Sequence, residues 1–126
     1  MLSLSPGIRY FLYRHPTDIR KSFDGLSGII RNELAGNPLN GDVFIFLNKR
    51  RTHIKLLCFE GDGYALYYKR LERGTYELPG LRGLKGDFLS AAQLQLILSG
   101  VSLKNIKYRP RYQHPAPVCV GNAVGK

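Results

Sequence analysis

Several residue types are scarce or missing in this chain of 126 residues. It has no tryptophan, one methionine and two cysteines, and nine acidic residues stand against nineteen basic ones. Two cysteines are too few for the disulfide framework of a small secreted domain. No run of about 18 apolar residues occurs, so no membrane-spanning helix is expected. The first residues also lack the pattern of a secretory signal, and together these absences favour a cytoplasmic protein with reduced thiols.

The shortage of acidic residues leaves a formal net charge of +10, which is spread unevenly. Residues 1–40 and 41–79 each carry a net charge of +2, whereas residues 80–126 carry +6. Such an excess favours a polyanionic partner, because each phosphate that is neutralised releases counterions. The alternative is that the charge only keeps the protein soluble, and charge alone does not decide between the two.

The first part of the chain predicts a strand, a helix and a second strand. Residues 8–13 are rich in β-forming side chains. Thr17 or Asp18 is the expected N-cap of the helix that follows, and residues 43–47 form a strongly apolar strand. The apolar stripe of the helix, spaced by three or four residues, consists of Ile19, Phe23, Leu26, Ile30 and Leu34.

A meander is predicted next, because short polar or glycine-containing turns make neighbouring strands antiparallel. Its strands are expected over residues 54–59, 64–71 and 75–78. A glycine-rich loop covers residues 79–86, and Asp87 is the expected cap of a second helix over residues 88–98 that Gly100 ends. The inward positions of this helix are expected to be Phe88, Leu89, Ala92, Leu94 and Leu96.

The predicted fold class is α+β, with a mainly antiparallel sheet of four to five strands and two helices. Residues 1–112 are expected to form a single domain whose sheet hides one face under the helices and wets the other. Residues 113–126 contain two prolines and two glycines and are predicted to be a flexible C-terminal tail.

Patterns typical of catalysis or metal binding are not apparent. The three histidines lie far apart, and neither a Walker loop nor a GxSxG elbow occurs. The acidic residues of the meander fall mostly at strand ends and turns, where carboxylates are commonly just solvated, so a two-metal nuclease is a minor hypothesis. We predict no catalytic residue, no metal and no cofactor.

The run GDGYALYYKRLERGTYELPG mixes aromatic and basic residues within a predicted hairpin. Side chains alternate along a strand, so Tyr67 and Lys69 share a face and could form an exposed pair. Tyrosine stacks on bases and lysine pairs with phosphate, which suits a nucleic-acid surface. The alternative is that Tyr67 shields the sheet while Lys69 pairs with Glu72 or Glu77.

Two groups of basic residues are the candidates for nucleic-acid contact. The candidates on the sheet are Lys49, Arg50, Arg51, Lys69, Arg70 and Arg73. The candidates near the tail are Lys104, Lys107, Arg109 and Arg111. Arg20 and Arg31 are weaker candidates, because a solvated helix face explains them as well.

Three segments carry a resemblance to a known family. They are DIRKSFDGLSGII, VFIFLNKRRTHIKLL and EGDGYALYYKRLERGTYELP. In this order, over about residues 8–100, the chain resembles the TnpB or Orf2-like accessory protein of insertion sequences of family sixty-six. The resemblance implies a small bacterial protein that is encoded beside a separate transposase, supports transposition and has no catalytic centre of its own. It transfers no catalytic residue to this chain.

Two hypotheses follow for the mode of action. In the first, the protein binds the phosphates of element ends or of target DNA, in the bacterial cytoplasm and in association with the nucleoid. In the second, it is an adaptor that docks the partner transposase through an exposed sheet face including Tyr67, without touching DNA. Neither hypothesis involves a membrane.

Overall fold

The computed structural model describes residues 7–34, 36–78 and 88–100. The strands in these residues form one five-stranded sheet in the order β4-β3-β2-β1-β5. All neighbouring pairs are antiparallel except β1 and β2, which are parallel. The elements are β1 (Tyr10–Leu12), α1 (Phe23–Glu33), β2 (Val43–Leu47), β3 (His53–Phe59), β4 (Tyr64–Arg70), β5 (Phe88–Leu89) and α2 (Ala91–Ser99). The predicted α+β class, with a mainly antiparallel sheet and two helices, is confirmed.

The two helices lie on opposite faces of the sheet. One face carries Val43, Ile45 and Leu47 of β2, which pack with α2 in what we call the α2-side core. The other face carries Phe44 and Phe46, which pack with α1 in the α1-side core. Every residue of β2 is therefore buried, as is usual for a strand covered on both faces. The expectation of one wet face is wrong, because the helices do not share a face.

Helix α1 begins later than its apolar stripe predicts. Its N-cap is Ser22, so the expected caps Thr17 and Asp18 both precede the helix. Thr17 still follows the line of β1, since its amide donates to the carbonyl of Leu47 at 2.9 Å. The carboxylate of Asp18 instead accepts the amide of Arg20 at 2.9 Å in a local turn. Pairing with β2 thus holds the chain extended past the predicted helix start.

The N-terminal end of the stripe accordingly differs from the prediction. Ile19 lies ahead of the helix, and Phe23, at its first position, is 42% exposed. Leu26 and Ile30 are fully buried, as predicted, together with Ile29.

Helix α2 also begins later than predicted. Phe88 and Leu89 form β5 beside β1, and the helix starts after Ser90. The Ser90 hydroxyl accepts the amide of Gln93 at 3.1 Å, while the Gln93 side chain accepts the amide of Ser90 at 2.8 Å. This capping box makes Ser90 the N-cap of the helix, and the predicted cap Asp87 lies outside the described residues.

The buried face of α2 is shifted from the predicted one. Leu94 and Ile97 face the core, whereas Ala92 and Leu96, expected inside, are exposed. The other two predicted positions, Phe88 and Leu89, belong to β5 and not to the helix. Gly100 ends the helix in a left-handed conformation with φ of 88°, as predicted.

The predicted fourth strand of the meander, over residues 75–78, is absent. The chain turns at Gly74, whose φ is +84°, and leaves the plane of the sheet. Tyr76 becomes fully buried in the α2-side core, and its amide donates to the carbonyl of Arg51 at 2.7 Å. The segment therefore covers a face of the sheet instead of extending it. The predicted loop over residues 79–86 and the tail over 113–126 lie outside the described residues.

Candidate nucleic-acid interface

Strand pairing brings most of the basic residues of the sheet to one end. His53 at the start of β3 pairs with Arg70 at the end of β4, and the amide of Leu71 donates to Thr52 at 2.8 Å. The β2–β3 turn therefore lies beside the chain that leaves β4. The parallel β1 adds Arg14 at the same end. We call this end, with its seven cationic side chains, the basic end: Arg14, Lys49, Arg50, Arg51, Lys69, Arg70 and Arg73.

Among the residues that the structure describes, the opposite end of the sheet carries more acidic than basic groups. It holds Asp42 ahead of β2 and Glu60 and Asp62 in the β3–β4 turn, with Arg9 as the basic residue next to β1. Arg9 donates from Nε and Nη2 to the two oxygens of Asp42 at 3.1 and 2.8 Å. Its charge is therefore balanced. We call this end the acidic end, and the contrast gives the sheet a charge gradient along its strands.

The turn between β2 and β3 is held by Asn48. Its Oδ1 accepts the amides of Thr52 and His53 at 2.9 and 3.0 Å, and its Nδ2 donates to the Thr52 hydroxyl at 3.1 Å. The amide of Arg51 closes the turn on the carbonyl of Asn48 at 3.0 Å. An Asn at the start of a turn commonly provides such bonds, so the three basic residues Lys49, Arg50 and Arg51 project from an ordered frame.

Arg51 adopts a conformation that arginine rarely takes. Its φ is +57°, and it is the one non-glycine residue with positive φ among the described residues. At this place in a hairpin, the residue with left-handed backbone is usually glycine or asparagine. The conformation lets the carbonyl of Arg51 accept the amide of Tyr76 at 2.7 Å.

Four of the basic side chains make no ion pair or side-chain hydrogen bond to another described residue: Lys49, Arg50, Arg51 and Arg73. All four are exposed. Arg70 differs, because it donates to Glu72 at 3.1 Å through Nε and lies 3.0 Å from it through Nη2. Both partners are more than half exposed, so this pair contributes little to stability. Glu72, one of the two carboxylates considered as a partner of Lys69, is thus bonded to Arg70, and a pairing of Lys69 with Glu77 stays a prediction.

A small cleft of about 40 Å³ opens at the basic end, between the chain that follows β1 and the β2–β3 turn. The basic side chains that line it are Arg14, His15, Lys49 and Arg51. Tyr13 forms part of its wall and donates its hydroxyl to Glu33 at 2.5 Å. Burial and this bond to Glu33 raise the pKa of Tyr13 to about 12, so the phenol stays neutral at physiological pH.

Lys55 is a buried lysine that the sequence pattern does not reveal. Its Nζ donates to the carbonyls of Ile19 and Lys21 at 2.7 and 2.6 Å, and it lies 4.6 Å from the centre of the Tyr68 ring. Burial lowers the pKa of the Lys55 ammonium. A lysine in the middle of an apolar strand carries no local signal for such a role, because its acceptors lie more than thirty residues away.

Tyr68, and not the expected Tyr67, is the more exposed tyrosine of β4. Tyr68 is 51% exposed and stacks on His53 with 5.9 Å between ring centres. Tyr67 is half-buried and packs against the α2-side core, because α2 covers the face on which an exposed Tyr67–Lys69 pair was expected. A partner contact of Tyr67 stays a prediction. The four tail candidates, Lys104, Lys107, Arg109 and Arg111, lie outside the described residues.

Other chemistry in the described residues is sparse. In residues 7–34, 36–78 and 88–100, no three His, Cys, Asp or Glu side chains come together as they would to hold a metal ion. Cys58 is half-buried, and burial raises the pKa of its thiol. The helices in this part of the chain are too short to cross a membrane.

Comparison with known proteins gives a family for the chain. The family described as IS66 Orf2-like protein matches residues 8–108. The chain belongs to this family. The resemblance noted in the sequence is thereby confirmed, and the family consists of accessory proteins of insertion sequences.

Two relatives of this IS66 Orf2-like protein come from Sinorhizobium fredii. The uncharacterized protein y4hO is 31% identical over 83% of this chain and 90% of its own length. The uncharacterized protein y4jC is 27% identical over 87% of this chain and 93% of its own length. No solved structure matches the chain.

Proposed function

We propose that this IS66 Orf2-like protein supports transposition by binding the phosphates of DNA, at element ends or in the target, with the basic end of its sheet. One observation carries the proposal. Four exposed cationic side chains at this end lack a carboxylate partner among the described residues, whereas Arg9 at the other end is paired. Unpaired exposed cations are what counterion release from DNA requires.

The geometry suits a contact with the phosphate backbone. The Lys49–Arg51 turn and the Lys69–Arg73 segment are adjacent, because the carbonyl of Thr52 accepts the amide of Leu71 at 2.8 Å. Phosphate contacts set position and affinity, whereas base contacts set sequence preference. The basic end accounts for affinity, and recognition of the element ends would need further contacts.

Fluorescence anisotropy with labelled duplex DNA tests the proposal. One probe carries the terminal inverted repeat of the element and the other a scrambled sequence, each over a salt series. We expect log K to fall by about 0.9 per log unit of salt for each phosphate neutralised. Affinity that stays flat from low to physiological salt would contradict phosphate contact.

The triple variant Lys49→Gln, Arg50→Gln, Arg51→Gln locates the contact. We expect the salt slope to fall by about 0.9 for each phosphate that the three side chains neutralise, and the affinity at physiological salt to fall by more than about tenfold. Arg31→Gln, on the exposed side of α1, removes a charge away from the basic end and is expected to bind as the natural protein does. A loss in log K for Arg31→Gln of about a third of the triple variant's loss would mean that only net charge matters, because Arg31→Gln removes one charge and the triple variant removes three.

A second candidate function is that of a protein adaptor for the separate transposase. The observation that favours it is the outer side of β4, where no strand lies among the described residues and where Tyr68 is 51% exposed. Such an edge can accept an extended segment of a partner. Retention of the transposase in a pull-down after nuclease treatment would support the adaptor, and loss of it after that treatment would favour a DNA-mediated association.

A further inference from the structure

The small cleft at the basic end has a size and a lining that fit one anionic group. A water molecule needs about 10–15 Å³ by this measure of volume, so the cleft of about 40 Å³ has room for about three waters or one phosphate group. Lys49 and Arg51 approach it from the β2–β3 turn, and Arg14 and His15 from the chain that follows β1. Arginine and lysine side chains from two separate segments thus line one small space.

We propose that this cleft seats a single backbone phosphate of the bound DNA, and that Lys49 and Arg51 act on that same phosphate. The inference rests on the proposed function and adds to it a defined position for one contact. It separates the six candidates of the sheet into a pair that shares one phosphate and others, such as Arg73, that contact phosphates of their own.

The backbone of Arg51 is the first argument. A left-handed residue other than glycine is strained, and it persists where the surrounding structure holds it, often at binding sites. The two backbone bonds of Arg51, from its amide to Asn48 and from Tyr76 to its carbonyl, would form equally well with glycine. The arginine side chain makes no ion pair or hydrogen bond with another described residue that would offset the strain.

The order of the turn is the second argument. Asn48 forms three hydrogen bonds that bracket Lys49–Arg51, and Thr17 ties the other wall to β2 through Leu47. The two walls are therefore positioned before a ligand arrives. A preformed site loses less entropy on binding than a mobile loop does, so a single phosphate can be held at a fixed register.

The variant Arg51→Gly separates binding from folding. Glycine relieves the left-handed strain, so we expect thermal stability to be equal to or above that of the natural protein. DNA affinity at physiological salt is expected to fall about fivefold and the salt slope by about 0.9. Arg51→Lys, which keeps the charge, is expected to restore most of the slope. If Arg51→Gly does not fold, Arg51→Asn replaces it, because asparagine also tolerates this conformation.

Two double variants test whether one phosphate is shared. Adding Lys49→Gln to Arg51→Gly is expected to leave the slope almost unchanged, because the proposed site needs both cations to hold its phosphate and Arg51→Gly has already lost it. Adding Arg73→Gln to Arg51→Gly is expected to lower the slope by a further 0.9 or so, because Arg73 lines a different depression at this end. The two pairs remove the same charge and differ only in position.

The outcomes distinguish the cleft from the wider proposal. A slope that falls equally with both second substitutions, or an Arg51→Gly protein that binds DNA as tightly as the natural one, overturns the shared phosphate and leaves DNA binding intact. Absence of binding by the natural protein at low salt overturns both. A reduced slope for Arg51→Gly, with no further reduction from Lys49→Gln, supports the cleft.

Discussion

The two hairpin turns at opposite ends of the sheet each contain a residue with positive φ, but the residue differs between them. The β3–β4 turn uses Gly61 at φ of +97° and closes with the amide of Glu60 on the carbonyl of Gly63 at 2.8 Å. The β2–β3 turn uses Arg51 at φ of +57°. One turn takes the residue that the backbone prefers, and the other takes a residue that the backbone disfavours.

The two ends of the sheet also differ in whether their charged side chains are paired. At the acidic end Arg9 is paired with Asp42, which is only 9% exposed and also accepts a hydrogen bond from Asn40 at 3.0 Å. At the basic end Lys49, Arg50 and Arg51 are exposed and make no ion pair with a described residue. Paired charges serve the fold, and unpaired charges concentrated at one place are available to a ligand.

The largest expected effect on stability comes from Lys55, whose buried ammonium is hydrogen-bonded to two backbone carbonyls. Lys55→Met removes the buried ammonium and leaves the carbonyls of Ile19 and Lys21 without their donor. We expect the free energy of unfolding to fall by about 3 kcal/mol, measured by urea denaturation. Lys49→Met makes the same chemical change at an exposed site and is expected to alter it by less than about 0.5 kcal/mol. Similar losses in the free energy of unfolding for the two variants would contradict the view that the hydrogen-bonded Lys55 stabilises the fold while the exposed Lys49 does not.

A smaller effect is expected from the ion pair of the acidic end. Asp42→Asn keeps the shape of the side chain but removes the charge that Arg9 contacts through two nitrogens. We expect a loss of about 2 kcal/mol in the free energy of unfolding, since Asp42 is buried while the Arg9 side chain is 63% exposed.

The control is Asp62→Asn, an exposed carboxylate in the turn at the same end, which should change stability little. DNA binding of both variants should equal that of the natural protein when measured below their unfolding transitions. A loss of affinity specific to Asp42→Asn would show that the acidic end takes part in binding.

The smallest effect concerns the turn that uses glycine. Gly61→Ala places a Cβ on a residue with φ of +97° and is expected to lower the free energy of unfolding by about 1 kcal/mol. Gly63→Ala, two residues on, meets no atom within 4 Å and does not occupy that region, so little change is expected. In a thermal melt, Gly61→Ala is expected to lower the melting temperature, whereas Arg51→Gly is expected to leave it equal or raise it. A melting temperature that falls for both variants would contradict the strain assigned to Arg51.

Local patterns predicted the central meander well and the element boundaries poorly. Val43–Leu47 and the two strands after it were evident from their apolar runs and polar turns. Both helices begin later than their apolar spacing indicates, because neighbouring chain pairs with β1 or β2 ahead of each helix. The segment with Tyr76 resembles a strand in composition, but the chain turns at Gly74 and Tyr76 packs into the α2-side core instead of pairing beside β4.

The same limit applies to the candidate site. Charge and turn composition identified Lys49–Arg51 and Lys69–Arg73, which the antiparallel register then brings together. The left-handed backbone of Arg51 and the cleft beside Arg14 could not be read from the residues, because both depend on contacts with β1 and with Tyr76.

The amino-acid sequence by itself determined the family, the α+β class, the excess of positive charge and the turn that holds three consecutive basic residues. Those properties depend on composition and on short-range spacing. The tertiary structure alone decided that the two helices cover opposite faces, that Tyr68 is exposed instead of Tyr67, and that the unpaired cations gather at one end. Those outcomes depend on strand register and on which segments meet across the sheet, and contacts between residues that are not neighbours in the sequence set both.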